Sequence, residues 1–324
     1  MREITYVEAL REALREEMAR DERVFIMGLD VRLGYTFGVT KGLVDEFGME
    51  RVIDMPISEE TIVGAGVGAA LVGLRPVIEI QFSDLLTLCM DPIANQGAKL
   101  RYITNGKLKI PLVVRTPGGV WNGFGCQHSQ TFDSLFMHIP GIKVVVPSTP
   151  SDAKGLLKAA IRDDNLVLFL ENKQLYRTKG PVSTEEYTIP IGKGALRREG
   201  IDVTIVAVSD MVRKALTAAE IVAKEGIKAE ILDPRCLIPL DESIILNSVR
   251  KTGHLIIAEE GCKTSGVGAE IAALVAEKAF YSLASPILRV AAFDTPIPMS
   301  PPLQDLIIPG VQRIVDAIYQ SVRK

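Results

Sequence analysis

Short apolar runs rich in β-branched residues alternate along this chain with stretches of helical spacing, and that alternation restricts the fold more than any other feature. The first runs are VFIMG at 24–28, PVIEIQF at 76–82, PLVVRT at 111–116, IKVVVP at 142–147 and LVLFLE at 166–171. Strands that are apolar almost throughout are buried on both faces. Interleaved with helices, they specify an α/β fold with a mostly parallel sheet covered by helices on both sides. Thr5 and Glu8 stand at capping-box spacing before the first helix, whose Val7, Leu10, Leu14 and Met18 recur at helical intervals.

After Glu171 the pattern lapses into NKQLYRTKGPVSTEEYTIP, a polar stretch carrying Gly and Pro that reads as a linker. The alternation then resumes with VTIVAVS at 203–209, IKAEILD at 227–233, HLIIAEE at 254–260 and ILRVAAF at 287–293. Helices are expected from Met211 to Lys224, after Asp241 and after Gly266. A chain of 324 residues suits two cores better than one. Two α/β domains follow, residues 1–185 and 186–324, each a mostly parallel sheet flanked by helices.

The 37 basic and 40 acidic residues are well mixed, for a net charge of −3, which leaves no electrostatic footprint for nucleic acid or an anionic membrane surface. No uninterrupted apolar run approaches the ~18 residues that span a bilayer, and MREITYVEALREALREE has no apolar core of signal-peptide type, so a cytoplasmic location is expected. Cys89, Cys126, Cys236 and Cys262 are scattered without zinc or disulfide spacing and read as free thiols.

Two stretches stand apart from this framework. In DMPISEETIVGAGVGAALVG (54–73), Glu59 and Glu60 precede a run of small apolar residues. Gly64 to Ala69 satisfies the loose form G-x-G-x-x-A, but that fingerprint needs a buried strand directly before it, and a polar, proline-bearing segment stands there instead. The stretch reads as a helix capped by Ser58, with both acids in its first turn where they suit the macrodipole. Each interior glycine costs a helix roughly 1 kcal/mol relative to alanine, so Gly64 and Gly68, on one face, imply close approach of another backbone. A helix this apolar is expected to be buried, with a subunit interface as one setting. In the second stretch, TPGGVWNGFGCQHSQTFDSLF (116–136), a glycine-rich loop after a predicted strand delivers Gln127, His128, Ser129 and Gln130 to the start of a helix. Open α/β sheets place their chemistry in such loops. His138, among apolar neighbours, reads as structural, and His254, opening a strand, as structural or as a support for a neighbouring site residue.

With these segments in view, the chain resembles, nearly end to end, the β subunit of the thiamine-diphosphate-dependent first component of 2-oxo acid dehydrogenase complexes of the pyruvate, branched-chain and acetoin types. DMPISEETIVGAGVGAALVGLRPVIEIQF, GCQHSQTFDSLFMHIPGIKVVVPSTPSDAKGLLKAAIRDDN, IPIGKG and GVGAEIAALVAE carry the resemblance. It implies a pyrimidine-binding domain followed by a transketolase C-terminal-like domain. It implies that Glu59 hydrogen-bonds a ring nitrogen of the cofactor's aminopyrimidine, favouring the tautomer that takes the thiazolium proton. His128 would then stabilise the 2-oxo acid adduct and move a proton during acyl transfer to a lipoyl group. Ile57, Gln81 and Leu85 would line the cofactor site. The carbonyls of Leu112, Ala160 and Ile161, with Asp163 and Asn165, would surround a structural potassium ion, as oxygen-only ligation suits a hard cation.

No Gly-Asp-Gly occurs in the chain, so the magnesium and diphosphate ligands are expected on an α subunit. The resemblance implies an α2β2 heterotetramer docked on a lipoyl acyltransferase core. Leu29 stands where relatives commonly have an acid, Met55 where Thr or Ala is usual, and Leu85 where an aromatic is frequent, departures that bear on substrate and rate. The expected function is oxidative decarboxylation of a 2-oxo acid, pyruvate foremost; acetoin cleavage and a weakly catalytic assembly or regulatory role are the alternatives.

Overall fold

The computed structural model describes residues 1–34 and 37–322. The chain divides into two compact units. Met1–Gly118 and Leu135–Ile191 form the first, while Gly119–Ser134 and the chain from Gly192 onward form the second. The division falls six residues beyond the expected end at residue 185, and residues 119–134 group with the second unit although they lie within the first half of the sequence.

Through residue 182 the elements are strand β1 (Arg2–Thr5), helix α1 (Tyr6–Arg20), β2 (Val24–Gly28), α2 (Leu43–Phe47), β3 (Val52–Asp54), α3 (Glu59–Leu71), β4 (Arg75–Glu79), α4 (Leu100–Ile103), β5 (Val113–Gly118), α5 (Asp133–Met137), β6 (Lys143–Val145), α6 (Pro150–Arg162), β7 (Val167–Asn172) and β8 (Lys179–Val182). A tight helical turn over Ser83–Cys89 runs into a wider one over Asp91–Gly97. The unit's sheet has the order β6–β7–β5–β4–β2–β3 and is parallel throughout. Every residue of β2, β5 and β7 is buried, as the apolar runs require.

The capping box of α1 is present, with the Glu8 N–H donating to Thr5 Oγ1 at 3.2 Å and the Thr5 N–H to Glu8 Oε2 at 2.7 Å. Tyr6, Ala9, Leu10, Ala13, Leu14 and Met18 form its buried stripe, and Val7 lies at the edge. The helix packs on α6, where the buried ammonium groups of Lys154 and Lys158 reach Glu16 and Arg162 reaches Glu17, buried charge being tolerable only when paired. The stretch read as a linker is more ordered than expected: it holds β8, antiparallel to β1 with Arg2 opposite Val182. Only Gly180 and Val182 of β8 are buried, which is too short an apolar alternation to recognise.

In the second unit β9 (Ala195–Arg198), β10 (Val203–Ala207), α7 (Met211–Ala223), β11 (Ala229–Asp233), β12 (Cys236–Ile238), α8 (Glu242–Thr252), β13 (Leu255–Cys262), α9 (Val267–Ala279), β14 (Leu288–Ala292), α10 (Pro301–Ile307) and α11 (Val311–Val322) follow in order. Its sheet runs β14–β13–β10–β11–β9, with only β9 antiparallel. Val203, Ile205, Ile231 and Ile256 pack with Ala215 and Ala219 of α7 and Ile314 and Ile318 of α11 into one core. Each of these valine and isoleucine side chains contributes roughly 1.5–3 kcal/mol on burial. Among the described residues no helix is long and apolar enough to cross a membrane.

Candidate active site

α3 begins at Glu59, as the sequence predicts, and the glycines at 64–68 lie within it rather than in a phosphate loop. Ser58 holds the N-cap position, but its hydroxyl makes no capping bond, so the expected cap is positional only. Glu59 is half-buried and Glu60 exposed, consistent with the ~100° that separates consecutive helical residues. Among the described residues no donor bonds the Glu59 carboxylate.

α3 packs against the turn over Ser83–Cys89, and there the charge of Glu59 is felt. Burial first, then the carboxylates of Glu59 and Glu60, push the Cys89 thiol up to about 12. Cys89 Sγ donates to the Leu85 carbonyl at 3.6 Å, so Glu59, Cys89 and the expected cofactor neighbour Leu85 share one locality. Gln81 Nε2 donates to the carbonyl of Leu29 at 3.4 Å, joining that residue to the loop after β2. Ile57, also expected at the cofactor, is 75% exposed and leaves its side chain outside the core.

Within this chain the tight contact of α3 is at Gly66, where a Cβ would stand 2.8 Å from Ile78 Cγ1 of β4. Gly64 and Gly68 have open space beside them and, with Thr61 and Ala65, form an exposed face, so α3 is buried on one side only within this chain.

His128 lies in the second unit, half-buried, on the loop between β5 and α5, with its N–H donating to the Gly125 carbonyl at 3.4 Å. The loop needs its glycines. At Gly123 (φ +80°) a Cβ would meet the Met299 carbonyl oxygen at 2.9 Å, and at Gly125 (φ +73°) it would meet Met299 Cγ at 2.8 Å. The Val120 N–H donates to Glu260 Oε1 at 2.7 Å, and the Gly119 N–H to the Gln130 carbonyl at 3.1 Å, closing the base. Ser129 is buried while Gln127 is exposed.

Sequence reasoning missed what the loop rests on, namely Glu260 at the end of β13, next to Glu259 and near Asp133. Their signal was acids closing a parallel strand, where open sheets gather polar function. His254 is structural as expected, its Nδ1 within 2.9 Å of Ser285 Oγ. His138 is exposed rather than packed, because α5 turns only Phe136 fully inward.

The expected cation ligands come from three places: Leu112 directly before β5, Ala160 and Ile161 in the last turn of α6, and Asp163 and Asn165 on the loop after it. The Leu112 carbonyl accepts from the Val167 N–H at 2.9 Å, that of Ala160 from Asp163 at 3.2 Å, and that of Ile161 from Arg75 Nη1 at 2.9 Å. Asp163 Oδ1 accepts from the Asn165 N–H at 2.9 Å, Lys143 pairs with Oδ2, and Arg101 Nη1 donates to Asn165 Oδ1 at 2.7 Å. Although burial acts to raise it, hydrogen bonds from Lys143 and Asn165 hold the Asp163 carboxyl below the usual range. Each carbonyl has a second lone pair of the kind a hard cation takes, while Arg75, Lys143 and Arg101 already place positive charge on the Ile161, Asp163 and Asn165 oxygens.

Residues 2–179 match the family model described as transketolase, pyrimidine binding domain, and residues 192–314 match transketolase, C-terminal domain. With two mostly parallel sheets flanked by helices, this defines a chain of the transketolase class. A solved structure described as a split gene transketolase, inactive β4 tetramer, shares that fold, with a TM-score of 0.81 at 23% identity over 98% of both chains. Closer in sequence, the β subunit of acetoin:2,6-dichlorophenolindophenol oxidoreductase of Bacillus subtilis (strain 168) is 47% identical over 98% of this chain and 97% of its own length. The mitochondrial pyruvate dehydrogenase E1 component subunit beta of Dictyostelium discoideum is 45% identical over 100% of this chain and 92% of its own. The 2-oxoisovalerate dehydrogenase subunit beta of Bacillus subtilis (strain 168) is 41% identical over 98% of each. The chain belongs to the family of β subunits of the first component of 2-oxo acid and acetoin dehydrogenase complexes.

Proposed function

We propose that this chain is the pyrimidine-side half of a thiamine-diphosphate-dependent dehydrogenase that decarboxylates a 2-oxo acid, pyruvate foremost, and passes the acyl group to a lipoyl arm. The observation that carries the reading is the Glu59 carboxylate, half-buried at a helix start and bonded by no donor among the described residues, beside a thiol whose high pKa reports a desolvated surrounding. Such a carboxylate is free to accept an external N–H. Thiamine diphosphate, when bound, supplies the carbanion chemistry. Glu59 holds a proton at the pyrimidine ring. Ile57 and Leu85 give that ring apolar contact, and Gln81 fixes the neighbouring loop. His128 moves a proton at the substrate oxygen.

The partner is an α subunit in an α2β2 assembly on a lipoyl acyltransferase core, in the cytoplasm, with magnesium held by the α subunit. The exposed small-residue face of α3 supports packing against another subunit. The oxygen set around Asp163 supports a structural potassium ion. Acetoin cleavage is the second reading, favoured by the 47% identity to the Bacillus subtilis acetoin enzyme's β subunit.

The test is thiamine-dependent turnover of pyruvate, branched-chain 2-oxo acids and acetoin by the chain co-purified with its α partner. Glu59→Gln is expected to lose at least about 100-fold in kcat and His128→Ala a comparable amount, the usual scale of positioned proton transfer. An assembly that binds the cofactor and turns over none of these substrates overturns the reading.

A further inference from the structure

Toward the C-terminal ends of three parallel strands the first unit holds a buried cluster that the proposed reaction does not use. Arg115 of β5, Glu79 at the end of β4 and Glu171 of β7 meet there. Arg115 Nε and Nη2 each donate to Glu171 at 2.7 Å, and Nη1 pairs with Glu79. Glu79 lies opposite Arg115 in register, and Arg115 opposite Phe169, two residues before Glu171, so side-chain alternation puts all three on one face of the sheet. Tyr176 joins them, its hydroxyl donating to Glu171 Oε2 at 2.6 Å. Burial, then the charge of Glu171, hold that hydroxyl well above its ordinary pKa, so it stays a donor.

The ring of Tyr176 continues this cluster toward the residues read as the cofactor side. Phe37, on the loop after β2, packs on it with ring centres 4.9 Å apart, and Phe82, next to Gln81, stands edge-on to Phe37 at 6.2 Å and 84°. Lys173, on the turn directly before Tyr176 and fully buried, places its ammonium 5.4 Å from the centre of the Phe82 ring. Aromatic and cation–π contacts at these spacings are attractive and directional. Tyr176 is 3% exposed, whereas Phe37 and Phe82 are half-buried on segments outside the sheet, so the two connecting segments are seated on a buried ring. The direct bond between those segments, Gln81 Nε2 to the Leu29 carbonyl, is 3.4 Å, at the long end for its kind, and the junction leans on the rings. Phe82 also begins the turn over Ser83–Cys89, its carbonyl accepting from the Leu85 N–H at 3.0 Å.

We propose that Tyr176 is a positioning residue for the pyrimidine side of the site: seated by Glu171, its ring holds Phe37 and through it Phe82, and so fixes the loop after β2 against Gln81 and the turn that carries Leu85. This role presupposes that Glu59, Gln81 and Leu85 form the pyrimidine side, as proposed above. Tyr176 acts through Phe37 and Phe82 and need not touch the cofactor. Loss of its ring lets Phe82 shift, and Leu85 shifts with the carbonyl that its N–H is bonded to.

The test uses the assembly with the α subunit, into which thiamine diphosphate is titrated calorimetrically with magnesium present. Tyr176→Leu and Phe37→Leu are expected to weaken binding about tenfold, the scale of one or two aromatic contacts, while Tyr176→Phe, which keeps the ring, stays within about threefold of the parent. Both losses act through one contact, so the double variant should bind little worse than the weaker single one. Leu14→Ala, in the buried stripe of α1, controls for stability alone: it should lower the urea midpoint and leave the affinity unchanged. Amide exchange over 80–89 in the cofactor-free assembly should quicken in Tyr176→Leu and Phe37→Leu and not in Leu14→Ala. Phe37 is half-buried on a loop, so its variant is expected to fold even if Tyr176→Leu does not. A parent that binds no thiamine diphosphate overturns the functional reading and the role of Tyr176 with it. A parent that binds overturns the role of Tyr176 alone if Phe37→Leu binds equally well, if Leu14→Ala is weakened as much, or if Tyr176→Phe is no better than Tyr176→Leu.

Discussion

Stability should fall as pH rises from 5 to 8, and Glu259 sets much of the slope. Its carboxyl has an ordinary value of 4.5 and is pushed up to about 7 in the folded chain by burial, against the lowering effect of hydrogen bonds from Gly268 and Val267. Between those values the native state binds more protons than the unfolded one, so unfolding becomes easier with each step in pH. The full effect of moving the carboxyl from 4.5 to about 7 is about 3 kcal/mol, complete below pH 4.5 and lost as pH rises through about 7. Asp133, raised for the same reason, acts in the same direction. Carboxyls held low, such as Asp21 at about 2 and Asp163, are ionised in both states across this window and add no slope. Urea midpoints of the assembly measured from pH 5 to pH 8.5 read the effect. Asp133→Asn should flatten the curve, and Glu259→Gln should flatten it further while lowering the whole curve, since a neutral amide accepts only one of the two N–H groups at the start of α9. A parent profile that is level or climbs through this range would refute the raised carboxyls of Glu259 and Asp133.

Three further outcomes follow from the geometry. Arg115, 1% exposed and bonded to Glu171 through Nε and Nη2 at 2.7 Å each and also paired with Glu79, should cost about 3–5 kcal/mol as Arg115→Met by calorimetric or urea unfolding, because two buried carboxylates lose their counter-ion. Glu260→Gln replaces a charge-assisted bond to the Val120 N–H by a neutral one, roughly 1 kcal/mol weaker, and should speed amide exchange across 119–134 without altering cofactor affinity. Exchanging potassium for choline should lower the melting temperature of the assembly if an ion sits on the Asp163 loop; equal temperatures in both would show that Arg75, Arg101 and Lys143 alone hold it.

The sheets were legible because a buried parallel strand writes itself as an uninterrupted apolar run, and β2, β7 and β10 could be read almost to the residue. β8 was illegible, since a half-exposed strand of four residues pairing with β1 depends on a partner more than 170 positions away. Glu59 was legible through its company, an acid directly before a small-residue helix, whereas the tight contact at Gly66 needed the position of Ile78. Leu112 and Ile161 could be named as cation ligands only through resemblance, because a carbonyl is offered by every residue type and leaves no mark in sequence.

Residues 119–134 show why reading the chain in order misplaces part of its chemistry. The loop follows β5, a strand of the first unit, yet its fixed points are the Glu260 carboxylate, the apolar contacts of Val120 with Ala292, Ile297 and Ile308, and the Met299 backbone against Gly123, all in the second unit. Glu59 is fixed by α3 in the first unit, and His128 by contacts made in the second. A substitution in β13 or near Met299 therefore acts on the segment carrying His128 even though it falls in the domain that lacks the pyrimidine-side acid. Loss of turnover with the Glu59 locality intact is the signature to expect from changes at Glu260, and its absence would mean that the loop takes its shape from its own glycines alone.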